Sequence, residues 1–290
     1  MKNLQVFLDI RESLRNFLRE DIGYGDITSN SIIQQNISAK AEIICKSKKA
    51  AIVCGLEEAS IVFDICNCET QTLAKDGSWV EKGDVVMNIV GKVHSILKAE
   101  RTALNLIMRM SGIANETRTF IEAIRGYNSS IRIACTRKTS PGLRFFDKKA
   151  VATGGGDTHR MRLDDMVLIK DNHLLLTSSV EKSIRLARKN VGSSVKIECE
   201  VRNLNEVIAA INAGAEIIML DNFSPQEVTK TMKKITKMGI RNKAKIEVSG
   251  GVNLQNLRYY AKAKPDIISI GYITHSPKAI DFSLEILNTI

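Results

Sequence analysis

The sequence predicts an α/β protein in two parts, a small antiparallel sheet flanked by helices and a larger set of parallel strands covered by helices. Two observations carry this prediction. Short β-rich runs separated by turn signals occur between residues 38 and 91. Beyond residue 130, six near-continuous apolar runs alternate with helical segments, as in parallel strands that are buried on both faces. The 290 residues are enough for one large domain and one smaller domain.

The first part begins with a helix over residues 4–20, where Leu and Phe recur at helical spacing. One further helix is predicted at Leu56–Phe63, among four strands at Ala41–Cys45, Ala51–Cys54, Thr70–Leu73 and Val85–Val90. A long helical pattern then runs from Ser95 to Ile124, and Gly112 is expected to kink or split it. We expect this helix to connect the two domains, at residues 1–110 and 111–276, with the tail 277–290 packing on the first.

The second part has six predicted parallel strands, at Ile131–Cys135, Met166–Ile169, Val195–Cys199, Ile217–Leu220, Ile246–Val248 and Ile267–Ile270. One of its helices is clearly signalled by a capping box, with Ser224 at the N-cap, Pro225 next and Glu227 three residues on. Each strand is followed by polar residues or glycines. Because the carboxyl ends of parallel strands share one edge of the sheet, we expect these residues to converge on a single site.

The bulk composition narrows the classes of partner. The formal charge is +10, which favours anionic ligands, although a lysine-rich surface explains part of this excess. Aromatic residues make up 5%, too few for the stacking platforms of single-stranded nucleic-acid binders, so no nucleic-acid partner is expected. No apolar run approaches the ~20 residues of a membrane span. The six cysteines lack zinc-site spacing, and Cys135 and Cys199 fall in apolar runs that indicate buried free thiols, as expected in a reducing cytoplasm.

The predicted strand ends combine three kinds of group. Cations and histidines follow the first two strands, carboxylates end the next two, and glycines follow the last two. Arginine forks suit carboxylate or phosphate, and glycine-flanked amides suit phosphate. The set therefore indicates a sugar phosphate or diphosphate with Mg²⁺ and a second acidic ligand. Each residue alone also has an ordinary structural explanation, such as a helix cap or a surface acid. The glycines match no nucleotide fingerprint.

Motifs spread over almost the whole chain resemble the nicotinate-nucleotide pyrophosphorylase (carboxylating) family, also called quinolinate phosphoribosyltransferases. In chain order they are GDIT at 25–28, ERTALN at 100–105, SGIA at 111–114, TRKT at 136–139, PGLR at 141–144, GGGDTHR at 154–160 and LIKDNH at 168–173. The later strand ends match as well, at residues 198–200, 220–222, 249–251 and 271–276.

The resemblance implies an N-terminal α/β sandwich and an open, TIM-like α/β barrel with fewer than eight parallel strands. It implies a homodimer whose active sites are shared between subunits. It also implies a Mg²⁺-dependent reaction of NAD biosynthesis, in which quinolinate and phosphoribosyl diphosphate give nicotinate mononucleotide, diphosphate and CO₂. The enzyme is then a pentosyltransferase acting in the cytoplasm.

The resemblance also assigns residues. Arg137, His159, Arg160 and Lys170 are expected to hold the quinolinate carboxylates, with Arg101 reaching in from the partner subunit. The residues expected to act catalytically are Lys138, Lys170, Glu200 and Asp221, of which Glu200 and Asp221 contact the ribose hydroxyls and Mg²⁺, directly or indirectly. The remaining substrate-binding residues implied are Thr136, Ser249, Gly250, Gly251, Ile270, Gly271, Tyr272 and His275.

Some positions depart from the family pattern. They are Asn115, Cys135, Thr158, Met161 and Arg162, and they leave the charged ligands intact. Three other functions remain open. One is the molybdenum-transport paralogue of the same fold, although intact PGLR and IKDNH segments favour the biosynthetic enzyme. The others are a barrel aldolase with Lys170 as its Schiff-base lysine and a non-catalytic protein that binds anions or nucleic acid.

Overall fold

The structure is a computed structural model that describes residues 2–127 and 130–290, with side chains from Asp9 onward. It divides into two compact units. The first holds the chain up to Glu116 together with Pro141–Gly154 and Pro277–Ile290. The second holds Thr117–Ser140 and Gly155–Ser276. A segment between the first two barrel strands thus belongs to the first unit.

The described elements in chain order are α1 (Lys2–Ile22), α2 (Ile27–Ile32), β1 (Ser38–Cys45), β2 (Ala51–Ile52), α3 (Leu56–Ile65), β3 (Glu69–Thr72), β4 (Trp79–Val80), β5 (Val85–Lys92), α4 (Val93–Ile124), β6 (Arg132–Ala134), α5 (Arg144–Thr153), β7 (Val167–Ile169), α6 (Asp171–Thr177), α7 (Val180–Asn190), β8 (Ile197–Val201), α8 (Leu204–Asn212), β9 (Ile217–Asp221), α9 (Pro225–Lys237), a 3-10 turn (Arg241–Lys243), β10 (Lys245–Ser249), α10 (Leu257–Lys262), β11 (Ile267–Ser269), α11 (Tyr272–His275) and β12 (Phe282–Thr289).

The first unit is built on a four-stranded antiparallel sheet in the order β12-β1-β5-β3, beside a two-stranded ladder of β2 and β4. Strand β1 alternates, with Ala39, Ala41, Ile43 and Cys45 buried and the residues between them more exposed. Such alternation leaves one face of the sheet on the core and the other toward solvent. The C-terminal strand β12 pairs along the full length of β1, with Phe282 opposite Cys45.

Helix α4 runs without a break from Val93 to Ile124, so the helix is not split at Gly112. The glycine has a different purpose. A Cβ atom at Gly112 would lie 3.0 Å from the carbonyl carbon of Lys278 and 3.2 Å from the Cα of Ala279. Glycine is therefore required because the chain leading into β12 crosses the helix in backbone contact.

Ion pairs hold α5 within the first unit. Arg109 on α4 donates from Nε to Asp147 at 2.8 Å and from a terminal nitrogen at 2.9 Å, and the Asp147 side chain is fully buried. Lys149 Nζ lies 2.7 Å from the buried Glu58 and 2.6 Å from Glu57. Because an unpaired buried charge is costly, these pairs fix where α5 can lie.

The second unit is a six-stranded parallel sheet in the order β6-β11-β10-β9-β8-β7. This order is the circular order of a barrel, interrupted between β6 and β7, which stand at its two ends. The expectation of an open α/β barrel with fewer than eight strands is confirmed. The capping box at Ser224 is confirmed as well, since Glu227 accepts from the Ser224 backbone N–H at 2.8 Å. In the described part of the chain no helix is long and apolar enough to cross a bilayer.

We predict that Gly112→Ala destabilises the protein by about 1–3 kcal/mol, because the added methyl group has only backbone to push against. Helix propensity alone would instead favour alanine by about 0.8–1 kcal/mol, so the sign of the change separates the two effects. Urea unfolding measures it. The matched control is Gly192→Ala, where a Cβ would meet only the Ser194 Oγ at 4.0 Å among the described atoms. Equal stability of Gly112→Ala and the unmodified protein would contradict the close crossing.

Candidate active site

A cavity of about 550 Å³ lies at the carboxyl edge of the six-stranded sheet, and all six strands contribute to it. The expected convergence of the strand ends is therefore observed. The residues that line the cavity are Cys135, Thr136, Arg137, Lys138, His159, Arg160, Leu168, Lys170, Asp171, Glu200, Met219, Asp221, Asn222, Glu247, Ser249, Gly250, Gly251 and Ser269.

Two guanidinium groups lie close together in this cavity. Arg160 is 8% exposed, and its pKa is lowered first by burial and then by the charge of Arg137. The Nε of Arg137 is buried without a hydrogen-bond acceptor among the described residues. A buried donor without a partner is unfavourable, and so is a pair of like charges. Both are relieved by a ligand that brings two negative groups.

The two lysines of the cavity follow the two strands at the ends of the sheet. Lys138, after β6, has its backbone N–H bonded to Thr136 Oγ1 at 3.1 Å, and its carbonyl accepts from Thr274 at 2.9 Å. Lys170, after β7, has its Nζ 3.0 Å from Glu200. Its backbone N–H donates to the ring of His173 at 2.9 Å, which fixes the start of α6. Both cations are thus placed by their own backbone.

Glu200 and Asp221 lie at the ends of the neighbouring strands β8 and β9 and both face the cavity. They bring only oxygen donors, which is the donor type that Mg²⁺ prefers. Glu200 is paired with Lys170, and Asp221 accepts from the side-chain amide of Asn222 at 2.8 Å. These residues fit a magnesium ion that is held partly by substrate oxygens and water, as Mg²⁺ commonly is.

The turn after β10 needs its glycines. Gly250 has φ +94° and Gly251 has φ +61°, both in the left-handed region. A Cβ at Gly250 would also lie 2.7 Å from the Cγ of Asn222, whose own φ is +57°. Consecutive residues of this kind turn backbone N–H groups toward one side, which is a geometry suited to phosphate.

Five of the expected binding residues do not line the cavity. Gly271 lies beside it, since a Cβ there would lie 3.2 Å from Lys138 Cδ and 3.3 Å from His275 Cδ2. The His275 ring stacks edge-on to Tyr272 at 6.1 Å, and Ile270 is buried. Arg101 belongs to the first unit, on α4, where its side chain is 56% exposed.

The sequence predicted His159 as a binding residue but not its contact with two buried glutamates. His159 Nε2 lies 3.2 Å from a carboxylate oxygen of Glu198 and 3.2 Å from one of Glu247, and both glutamates are fully buried. Glu247 also accepts from the Ser269 hydroxyl. One signal was present, because charged residues inside the apolar strands IECEV and KIEVS are unusual and face the barrel interior at the same parity as Glu200 and Ser249.

The hydrogen bonds assign a tautomer to His159. Its Nδ1 accepts from the backbone N–H of Arg160 at 2.8 Å and so carries no proton, which leaves the proton on Nε2, where Glu247 accepts it. Burial alone lowers the pKa of this imidazole, but bonds to Glu198 and Glu247 outweigh it and raise the pKa to about 10. Burial raises the pKa of Glu198 to about 7. The ring and the two carboxylates share protons as one titrating group, and because the bond at Nδ1 requires a lone pair there, the proton that the raised pKa describes is assigned to the carboxyl side of the Nε2 contact.

The same tautomer bears on metal binding. The three ligand-type atoms of this cluster lie within 4.8 Å of one another. A ring that donates from Nε2 is, however, a hydrogen-bond donor to the carboxylates and offers no lone pair there. We therefore treat the cluster as a hydrogen-bonded group.

Comparison with known proteins also divides the chain in two, at about residue 112. The model of the quinolinate phosphoribosyl transferase N-terminal domain matches residues 26–111, and that of the C-terminal domain matches residues 113–285. A protein of Methanocaldococcus jannaschii named as a probable nicotinate-nucleotide pyrophosphorylase (carboxylating) is 45% identical over 94% of this chain and 96% of its own. The human protein of that name is 37% identical over 78% of this chain and 75% of its own.

A solved structure gives the same result. NadC from Streptococcus pyogenes superimposes with a TM-score of 0.88 at 36% identity, covering 97% of this chain and 98% of the other. With both domain models matched, and with the Methanocaldococcus jannaschii and Streptococcus pyogenes proteins aligned nearly end to end, the chain belongs to the quinolinate phosphoribosyl transferase family.

Proposed function

We propose that the protein transfers a phosphoribosyl group from phosphoribosyl diphosphate to quinolinate with loss of CO₂, giving nicotinate mononucleotide for NAD biosynthesis. The observation that carries the proposal is the pair of adjacent guanidinium groups, Arg137 and Arg160, in a cavity that also holds two carboxylates and a glycine turn. Quinolinate carries two carboxylates on neighbouring ring atoms, which matches a paired cation site.

Arg137, Arg160 and Lys170 hold the quinolinate in this proposal. The unsatisfied Nε of Arg137 gains an acceptor, and the repulsion between the two guanidinium groups is offset by the dianion. Binding at these groups turns the ring nitrogen toward the centre of the cavity. The main contribution is orientation, which converts a reaction between two molecules into one within a single complex.

The sugar phosphate lies on the other side of the cavity. Ser249, Gly250 and Gly251 bind the 5′-phosphate through their backbone, while Glu200 and Asp221 bind the ribose hydroxyls. Mg²⁺, when bound at Glu200 and Asp221, neutralises charge on the diphosphate. Lys138 faces the diphosphate as well.

The residues suit charge separation at the ribose. Departure of the diphosphate leaves an oxocarbenium-like sugar, which the nearby carboxylates stabilise while the lysines stabilise the leaving group. The ring nitrogen bonds to the sugar and becomes cationic. Loss of CO₂ next to that nitrogen leaves a carbanion that the positive charge stabilises, after which the ring carbon takes up a proton. No protein nucleophile is needed for these steps.

We further propose a cytoplasmic homodimer in which Arg101 completes the site of the partner subunit. Two observations support it. The Arg101 side chain is 56% exposed and its nearest acid, Glu100, is 4.0 Å away, so the guanidinium is available to a ligand. None of the six cysteines forms a disulfide in the described part of the chain, which fits a reducing compartment.

The direct test is an assay with quinolinate, phosphoribosyl diphosphate and Mg²⁺ that follows release of CO₂ and formation of nicotinate mononucleotide. We expect turnover that stops when EDTA removes the metal and returns when Mg²⁺ is restored. Folded protein without turnover would refute the proposed function. Salt-sensitive binding of anions without chemistry would instead favour a simple binding protein.

We predict that Arg137→Ala weakens quinolinate binding by about 10- to 150-fold, since a hydrogen bond to a charged group contributes about 1.5–3 kcal/mol. Phosphoribosyl diphosphate binding should change by much less. Calorimetry with each ligand separately measures both. Arg162→Ala is the control, because this arginine is 72% exposed, pairs with Asp164 and does not line the cavity. Equal losses for both ligands would contradict the assignment of Arg137.

Sharing of the sites is tested by subunit mixing. Arg101→Ala and Lys170→Ala variants are each expected to be inactive, because each lacks one cation of every site. After denaturation and refolding together, mixed dimers contain one site with both cations intact, and about a quarter of the total activity should return if subunits pair at random. Recovery no greater than in the separately refolded variants would argue that Arg101 acts within its own chain or not at all.

A further inference from the structure

The backbone at His159 and Arg160 takes an uncommon form. His159 has φ +51°, in the left-handed region that residues with a Cβ seldom occupy. Such a conformation persists only where surrounding bonds hold it. Three hydrogen bonds do so, one at the His159 backbone N–H and one at each nitrogen of its ring. Asp157 Oδ1 accepts from the His159 backbone N–H at 2.8 Å, His159 Nδ1 accepts from the Arg160 N–H at 2.8 Å, and Glu247 accepts from His159 Nε2 at 3.2 Å.

The imidazole thus links the barrel interior to the backbone of Arg160. One ring nitrogen is bonded to a glutamate that is itself fixed by the Ser269 hydroxyl, and the other to the residue whose guanidinium enters the cavity. Both nitrogens are occupied by protein groups. A ring in this state has no N–H to give to a ligand in the cavity.

The hydrogen bonds of this turn oppose the repulsion between Arg160 and Arg137. Arg160 lies near the like charge of Arg137 and is almost completely buried, so that repulsion favours any conformation that turns its side chain away. The carboxylate of Glu198 attracts the Arg160 guanidinium. Neither oxygen of that carboxylate has a hydrogen-bond donor in good geometry among the described residues. The anchored turn leaves the Arg160 backbone with one orientation and so limits where the guanidinium can go.

We propose that His159 and Glu247 are positioning residues that hold Arg160 in its substrate-binding orientation, and that His159 does not itself bind the substrate carboxylates. The inference rests on the proposed function for the identity of the ligand, quinolinate. In this proposal, His159 and Glu247 affect quinolinate affinity only through the position of Arg160. Phosphoribosyl diphosphate affinity is then unaffected by either residue.

A double-mutant cycle tests the proposal, with quinolinate affinity measured by calorimetry for the unmodified protein, His159→Ala, Arg160→Ala and the double variant. We expect His159→Ala to weaken quinolinate binding about tenfold in the unmodified background and less than about twofold when Arg160 is already absent, because contacting residues are not additive. Additive losses would overturn the proposal, since they would mean that His159 contacts the ligand independently.

Glu247 supplies a conservative test. Glu247→Gln keeps an oxygen that can accept from His159 Nε2 and an amide that can donate to Ser269 Oγ, so quinolinate affinity should stay within about threefold of the unmodified protein. Glu247→Ala removes the acceptor and should reproduce the His159→Ala loss, with phosphoribosyl diphosphate affinity unchanged. A loss in Glu247→Gln as large as that in Glu247→Ala would overturn the proposal, because it would show that charge and not orientation matters.

Nitrogen-15 NMR of histidine-labelled, unmodified protein makes the inference testable even if the alanine variants fail to fold. The His159 signals are identified by their absence in whichever His159 variant folds, or by elimination among the four histidines. At neutral pH we expect an unprotonated Nδ1 and a protonated Nε2. A ring protonated at both nitrogens, or at Nδ1 alone, would overturn the proposal. This readout needs no ligand, whereas unmodified protein that fails to bind quinolinate would refute the proposed function.

Discussion

In the second unit, two like charges, the guanidinium groups of Arg137 and Arg160, lie together at the carboxyl edge of the sheet. Arg160 is buried and Arg137 is half-buried, and repulsion between like charges is stronger away from water than in it. Nothing about a parallel barrel requires this, and each guanidinium would be more stable apart. The fold tolerates it because neighbouring acids, among them Glu198 and Glu200 on strand β8, attract the Arg160 guanidinium. Much of the polar structure of the barrel follows from that single demand.

The barrel supplies the geometry that this charge arrangement needs. Its six parallel strands end at one edge, so groups far apart in the chain meet without long loops. The opening between β6 and β7 matters in the same way. The two lysines of the cavity follow those two strands, and so they flank the opening of the barrel.

Local sequence patterns predicted the elements whose residue types recur at a regular spacing or at a fixed offset. All six parallel strands, the capping box at Ser224 and the cavity-lining strand ends follow from local patterns that tertiary packing reinforces. Other features depend on partners that are distant in the chain. Gly112 is chosen by the backbone near Lys278, more than 160 residues away, as the two positions show. The short strand β4 and the exposed β12 have too few buried residues for a clear pattern. Glu198 and Glu247 likewise contact His159, which is distant from both in the chain, and no local pattern predicts that contact.

The pairing of β12 with β1 has a consequence for synthesis on the ribosome. Strand β1 is made within the first 45 residues, whereas its neighbour at residues 282–289 is among the last segments to emerge. Until then one edge of β1 has unpaired backbone groups, which invite pairing with other chains. The first unit is therefore expected to finish folding after the barrel, although it starts earlier, and to be the part that nascent chains must protect from aggregation.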